Sequence, residues 1–118
     1  KFVNKEIVKV IEKILDEDEK SIIIIQSDHG SGFDVDWKNP DESMVLQRLS
    51  ILNAYYVPEI SENQFYENIT PVNSFRIIFN DYFNGSYKIL EDRNYWNHGG
   101  APWDFDDVPE IIVINSKK

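Results

Sequence analysis

The chain has 118 residues, of which 21 are acidic and 12 basic, so its formal net charge at pH 7 is -9. This length allows one domain with its own core, and 42% hydrophobic with 28% charged residues is a globular composition. The charge argues against nucleic-acid binding, and no basic stripe supports it. The absence of cysteine excludes disulfides and Cys-based zinc sites, and no apolar run approaches the length of a membrane span.

The first predicted element is an amphipathic helix from Val3 to Leu15, where apolar residues recur at helical spacing with Lys and Glu between them. Four consecutive isoleucines follow after an acidic stretch. Such a run cannot alternate between core and water, so we predict a strand over residues 22–26, covered on both faces within a parallel or mixed sheet. A helix, a short loop and a buried strand form half of an α/β unit.

The isoleucine run ends at Asp28, His29 and Gly30. In parallel and mixed sheets, ligands bind beyond the carboxyl ends of the strands, where these side chains are expected. A carboxylate oxygen and an imidazole nitrogen together suit Zn, Mn or a similar divalent ion, and Gly30 allows a sharp turn. The alternative is a structural turn capped by Asp28, with His29 hydrogen-bonded or solvated.

Residues 31–39 are polar and irregular, which predicts a loop over the mouth of the site. Asn39 and Pro40 then predict a helix cap and first helical position, for a short helix that ends near Arg48. The stretch 51–57 is rich in aromatic and branched residues, which favours a strand.

Thr70 and Pro71 repeat the cap-and-proline signature, and a helix ended by Asn84 and Gly85 is the prediction. Its apolar stripe consists of Val72, Phe75, Ile78, Phe79, Tyr82 and Phe83. Beyond it we predict aromatic loops, followed by a possible edge strand over the apolar run 111–114.

Taken in order, these pieces resemble the C-terminal part of a sulfatase-like hydrolase of the alkaline phosphatase superfamily, particularly membrane-anchored sulfatase-domain proteins. The likeness covers nearly the whole chain. Asp-His-Gly alone is a weak signal, but its combination with LNAYYVP and TPVNSFR is specific. The matching blocks are FVNKEIVKVIEKIL, IIIIQSDHG, RLSILNAYYVP, ITPVNSFRIIFNDYF, LEDRNYW and PWDFDDV.

The resemblance implies that Asp28 and His29 bind a divalent metal ion, which could be Zn, Mn, Mg or Ca. It implies the C-terminal portion of a three-layer α/β/α fold with a mixed sheet, incomplete within residues 1–118 of a single catalytic domain. The nucleophile of the superfamily, a Thr, Ser or formylglycine, lies upstream of this motif and is not in these residues. The isolated chain is therefore expected to be inactive.

The same resemblance implies a parent protein that is anchored in a membrane, with this domain outside the cytoplasm and a phosphate or sulfate ester as substrate. The strand 22–26 is expected to pair with the remainder of the domain or an oligomer mate, or else to stay partly uncovered. The alternative function is a non-catalytic acidic α/β module that binds a protein or glycan partner through its aromatic C-terminal loops.

Two further residues are candidates for substrate binding. Arg76 lies on the strongest predicted helix and could reach a sulfate or phosphate, although a structural salt bridge is the alternative. His98 could be an additional ligand, although a flexible loop histidine is the alternative. Asn73, one turn before Arg76, could bond to the Asp-His-Gly loop.

Two acidic groups could bind a hard cation such as Ca²⁺, although neither has the EF-hand spacing and solvated clusters are the alternative. They are Asp34 with Asp36, and Asp104 with Asp106 and Asp107.

Overall fold

The computed structural model describes residues 2–60, 64–98 and 100–108. The elements in chain order are α1 (Phe2–Glu17), β1 (Ile23–Gln26), α2 (Glu42–Leu49), β2 (Asn53–Tyr56), α3 (Pro71–Tyr82), β3 (Asn94–Trp96) and β4 (Asp106–Val108). The chain is therefore a mixed helix-and-sheet protein, broadly α/β, as predicted.

The first helix and the first two strands were all predicted from the sequence. β1 and β2 pair antiparallel, with Ile23 opposite Tyr56 and Gln26 opposite Asn53. Two hydrogen bonds continue the pairing past the end of the strands: the Ser27 N–H donates to the Leu52 carbonyl, and the Leu52 N–H donates to the Ser27 hydroxyl, each at 2.9 Å.

The isoleucine run favoured a parallel or mixed sheet, and the antiparallel pairing of β1 with β2 is compatible only with the mixed one. A run of apolar residues indicates burial and carries no information on the direction of the neighbouring strand. Here α2 ends beside the end of β1, so β2 starts there and runs back along β1 in the opposite direction. The isoleucines of β1 are only half-buried, so the strand is partly uncovered in this chain.

The second helix begins two residues later than predicted, because Asp41 and not Asn39 is its N-cap. The Asp41 carboxylate accepts bonds from the Ser43 hydroxyl at 2.6 Å and the Met44 N–H at 2.8 Å. These bonds, that from Ser43 above all, lower the pKa of Asp41 below its ordinary value. A charged cap of this kind satisfies free N–H groups at the helix start.

The third helix has the predicted start and end, with Thr70 as N-cap and Pro71 in its first turn. Asn84 has a φ of 52°, and the Gly85 N–H bonds to the carbonyl of Phe79 at 3.0 Å, which ends the helix. α3 also supplies most of the core. The buried cluster is Ile60, Ile77 and Ile78, and half-buried Ile22, Ile24, Tyr55, Val57, Phe65, Ile69 and Tyr82 pack against it.

A second antiparallel pair, β3 with β4, lies in the region that we predicted as loop. Each strand has three residues, and β4 contains two aspartates, which are depleted in strands. The pairing therefore depends on contacts such as that of Trp96 with Asp106, ten positions later, which local propensity does not reveal. Both described pairs are antiparallel; the predicted run 111–114 lies outside the described residues, and the three-layer arrangement stays a prediction.

Candidate functional site

An open cleft of about 1510 Å³ lies at the end of β1, and Asp28 and His29 are on its wall. The sequence predicted a site at this strand end. The other contributions come from the end of α2, the start of α3 and the segment 91–97. Among the lining residues are Ser27, Trp37, Arg48, Thr70, Asp92, Arg93 and Trp96.

The turn after His29 is packed directly against the end of α2. The Gly30 N–H donates to the carbonyl of Arg48 at 2.7 Å. A Cβ on Gly30 would lie 2.1 Å from the carbonyl oxygen of Gln47 and 2.5 Å from that of Ser50. Glycine is therefore required here by the close approach of two backbone segments, a reason that the sequence prediction of a sharp turn did not include.

The two predicted metal ligands point toward one another. Nε2 of His29 lies 3.4 Å from Oδ2 of Asp28, and both side chains are open to solvent, at 46% and 86% exposure. Nδ1 of His29 lies 2.7 Å from the carbonyl oxygen of Gly30. Within residues 2–60, 64–98 and 100–108, no group of three or more His, Cys, Asp or Glu side chains converges on one point.

Arg48 lies on the other side of the imidazole, a position that the sequence did not predict. Its Nη1 contacts Nδ1 of His29 and donates to the carbonyl of Gly30 at 3.2 Å. The Nδ1 atom cannot accept a hydrogen bond from Arg48 and donate one to Gly30 at the same time, so these contacts belong to two alternative tautomers. If Nδ1 carries the proton, the lone pair of Nε2 faces Asp28.

Aromatic rings support the arginine. The guanidinium of Arg48 lies 5.2 Å from the ring centre of Trp37, and Trp37 stacks on Trp96 at 5.5 Å. Trp96 is only 4% exposed, and its buried Nε1 has no hydrogen-bond partner in the described part of the chain. The loop 31–39, predicted to cover the site, thus contributes one wall of the cleft through Trp37.

Asp92 is a further cleft residue that the sequence did not single out. Its carboxylate accepts bonds from the Thr70 N–H at 2.7 Å, the Thr70 hydroxyl at 2.5 Å, the Tyr66 hydroxyl at 2.5 Å and the Asn73 amide at 2.9 Å. Burial acts to raise its pKa, but the bonds from Thr70, Tyr66 and Asn73 lower it below the ordinary value.

The same contacts affect the phenol of Tyr66, whose pKa is raised by burial and by the hydrogen bond to Asp92. The Asp92 carboxylate lies at the N-terminal end of α3, where the helix dipole favours negative charge. Its partner Thr70 lies 22 residues away in sequence, so no local pattern reveals the contact.

The idea that Asn73 bonds to the Asp-His-Gly loop is wrong. Asn73 is fully buried, and its amide bonds to both backbone groups of Leu90, at 2.8 Å and 2.9 Å, as well as to Asp92 and Tyr66. It anchors the segment that follows α3, and that segment reaches the cleft at Asp92.

Arg76 and His98 do not line the cleft that holds Asp28 and His29. Arg76 donates to the carbonyl of Lys88 at 3.1 Å and lies 5.9 Å from the ring centre of Tyr87. Among the described residues it does not form the salt bridge that was the alternative to substrate binding. Nε2 of His98 lies 2.7 Å from Oδ2 of Asp106, and this bond raises the pKa of His98.

In comparisons with known proteins, no family model matched the chain, and no curated protein and no solved structure matched it either. Among the helices that the structure describes, none combines the length and hydropathy needed to cross a membrane. The geometry of the cleft is therefore the basis for a functional proposal.

Proposed function

We propose that this chain is the C-terminal part of a sulfatase-like catalytic domain, in a metal-dependent hydrolase or transferase that acts on phosphate or sulfate esters. Asp28 and His29 bind the divalent ion, and the nucleophile is supplied by a part of the protein upstream of these residues. The isolated chain is inactive because it holds only part of the site. The parent protein is membrane-anchored, with this domain outside the cytoplasm.

The observation that carries this proposal is the 3.4 Å separation between Oδ2 of Asp28 and Nε2 of His29. An ion at about 2.1 Å from each donor in tetrahedral geometry separates the two donors by about 3.4 Å. The 2.7 Å contact from Nδ1 to the Gly30 carbonyl supports the same reading. Metal-binding histidines commonly donate their second ring N–H to a backbone carbonyl, which fixes the tautomer.

A divalent ion at this position would polarise a non-bridging ester oxygen and lower the pKa of a hydroxyl nucleophile. Two protein donors are fewer than a catalytic zinc site needs, since such sites have three. The further ligands are therefore assigned to the same upstream part of the domain as the nucleophile.

The uncovered face of α1 and β1 supports the placement of this chain within a larger domain. A groove between them is lined by apolar side chains and a single glutamate, with almost no polar surface. Phe2 and Val3 in this groove are 76% and 63% exposed. The remainder of the catalytic domain or an oligomer mate would cover this exposed apolar groove.

The proposal is tested by titrating the chain with Mn²⁺ and with Zn²⁺ in a calorimeter. We expect Asp28→Asn and His29→Ala each to weaken binding by roughly tenfold or more, because each removes one of only two donors. His98→Ala is the matched control. The chain has a second His–Asp pair there, but its 2.7 Å separation fits a direct hydrogen bond and is too short for two ligands of one ion.

Equal metal binding by the wild type and His29→Ala in the full-length parent, which supplies the further ligands, would overturn the metal role of this pair. In the full-length parent, turnover of 4-nitrophenyl phosphate or sulfate is expected to require the ion and His29. Turnover that is unaffected by a chelator would contradict the proposed reaction.

A second candidate is the acidic module that binds a protein or glycan partner, and the β3–β4 unit favours it. Trp103 is 88% exposed, and Tyr95 and Phe105 are each about half exposed and pack edge to face at 6.5 Å. Exposed aromatic rings of this kind can stack on a sugar. Trp103→Ala should abolish glycan binding without affecting metal binding, whereas the enzyme proposal predicts no glycan binding by the isolated chain.

A further inference from the structure

We propose that Arg48 binds the anionic group of the ester substrate, a tetrahedral phosphate or sulfate, beside the ion held by Asp28 and His29. This inference rests on the proposed function, and it assigns a substrate-binding role to a residue that the sequence analysis did not select. It is carried by the position of Arg48, by the lack of a carboxylate partner for it among the described residues, and by the charge balance of the cleft.

The position of Arg48 places its guanidinium next to the candidate metal ligands. Nη1 contacts Nδ1 of His29, so one imidazole ring separates the guanidinium from the Nε2 atom that faces Asp28. In the tautomer that the metal site needs, Nδ1 donates to the Gly30 carbonyl, so Nη1 of Arg48 lies beside the ring and its one bond there is to the carbonyl of Gly30. Arginine has five N–H donors in a planar fork, so donors on the rest of the group are available to oxygens of a bound anion.

The guanidinium of Arg48 lies over the ring of Trp37, with 5.2 Å between its central carbon and the ring centre. Trp37 is itself stacked on the buried ring of Trp96. A guanidinium restrained on an aromatic face loses less conformational entropy when it binds an anion than a free one does.

Comparison with Arg93 indicates which of the two guanidinium groups in the cleft can accept an anion. Arg93 is paired with Glu91 at 2.9 Å and with Asp107 at 3.4 Å. Arg48 has no carboxylate within salt-bridge distance among residues 2–60, 64–98 and 100–108. An anion can therefore bind Arg48 without displacing an internal partner.

The charge balance of the cleft indicates that the anion and the metal ion bind together. Among the lining residues the carboxylates of Asp28, Glu91, Asp92 and Asp107 outnumber the guanidinium groups of Arg48 and Arg93. A free anion would meet net repulsion there, whereas a divalent ion reverses the local charge. We therefore expect anion affinity at Arg48 to rise when the ion is bound.

The experiment titrates the chain, saturated with Mn²⁺, with phenyl phosphate in one arm and phenyl sulfate in the other. The change in tryptophan fluorescence is the readout, because Arg48 lies on Trp37. Arg48→Met should weaken binding roughly tenfold, as expected for loss of a charge-assisted hydrogen bond. Arg93→Met, which removes the same charge from the same cleft, should change the affinity by less than about twofold, in line with an exposed paired charge.

Arg48→Lys provides a second variant in case Arg48→Met unfolds, since Arg48 also contacts the turn at Gly30. Lysine keeps the charge but loses the planar fork, so an affinity between those of the wild type and Arg48→Met, at an unchanged melting temperature, supports the proposal. Binding of either ester that is lost in Arg48→Met supports the role of Arg48.

The two levels of proposal fail in different ways. If the wild type binds Mn²⁺, but Arg48→Met and Arg48→Lys bind both esters as tightly as the wild type does, only the role of Arg48 is overturned. If neither the chain nor the full-length parent binds Mn²⁺, the proposed function is overturned and this inference with it.

Discussion

Gly30 lies where the turn after His29 meets the carbonyl groups at the end of α2. Replacement by alanine would place a methyl group 2.1 Å from the Gln47 oxygen and 2.5 Å from the Ser50 oxygen, so one of the two backbone segments must move. We expect Gly30→Ala to lower the free energy of unfolding by about 3 kcal/mol, measured by urea denaturation.

Gly100→Ala is the matched control for this prediction, because no atom lies within 4 Å of a Cβ at that position. It should change the unfolding free energy by less than about 0.5 kcal/mol. If the two alanine variants are equally stable, the close approach at Gly30 is not a constraint in solution.

His98 provides a prediction on pH. The hydrogen bond to Asp106 raises its pKa above the ordinary value of about 6.5. The pair therefore stabilises the fold fully below that ordinary value, and this contribution is lost as the pH rises through the raised pKa of the folded protein. In a proton NMR titration, we expect Asp106→Asn to lower the pKa of His98.

Asp107→Asn should leave the pKa of His98 nearly unchanged, because the Asp107 carboxylate pairs with Arg93. An equal effect of the two substitutions would show that the bond between His98 and Asp106 is not formed in solution.

At the scale of elements, α3 holds the segment that follows it through two asparagines. Asn80 bonds to both backbone groups of Tyr87, at 2.7 Å and 2.9 Å, and Asn73 does the same with Leu90. Seven helical residues rise about 10.5 Å, and three extended residues span about 10 Å. The spacing therefore matches, and the segment runs back along the helix toward the cleft.

Removal of these amides should have unequal effects. Asn73 is fully buried and bonds to Leu90, Asp92 and Tyr66, so Asn73→Ala should cost about 2 to 3 kcal/mol of unfolding free energy. The two hydrogen bonds of Asn80 are more exposed to solvent, so Asn80→Ala should cost about 1 kcal/mol of unfolding free energy. Thermal unfolding followed by circular dichroism measures both.

Asn4→Ala serves as the control, since Asn4 is an exposed residue within α1 and alanine has the higher helix propensity. It should leave stability unchanged or slightly raised. A loss for Asn73→Ala no larger than that for Asn4→Ala would contradict the anchoring role.

At the scale of the whole molecule, the apolar face of α1 is mostly exposed among the residues that the structure describes. The helix has no buried residue, and Val10 is 58% exposed in the groove beside β1. Val10→Lys should therefore leave the melting temperature nearly unchanged while it reduces concentration-dependent association in sedimentation velocity. Ile11→Lys should instead lower the melting temperature, because Ile11 is half-buried. Equal destabilisation by both would mean that the face is covered in the isolated chain.

The sequence by itself determined the helices and the first two strands, because their signals are local. Periodic apolar residues mark α1, and the cap and proline at Thr70 and Pro71 mark the start of α3. The end of the isoleucine run likewise identified Asp28 and His29 as neighbours at a strand end, since chain adjacency alone places them together.

Only the tertiary structure decided the features that depend on residues distant in sequence. The antiparallel direction of β1 and β2, the position of Arg48 against His29, and the contact of Asp92 with Thr70 each join segments 19 or more residues apart. Local propensity and spacing do not encode such contacts, because they form only when the packed elements bring the segments together. The sequence thus located the candidate ligands, and the fold placed an arginine beside them.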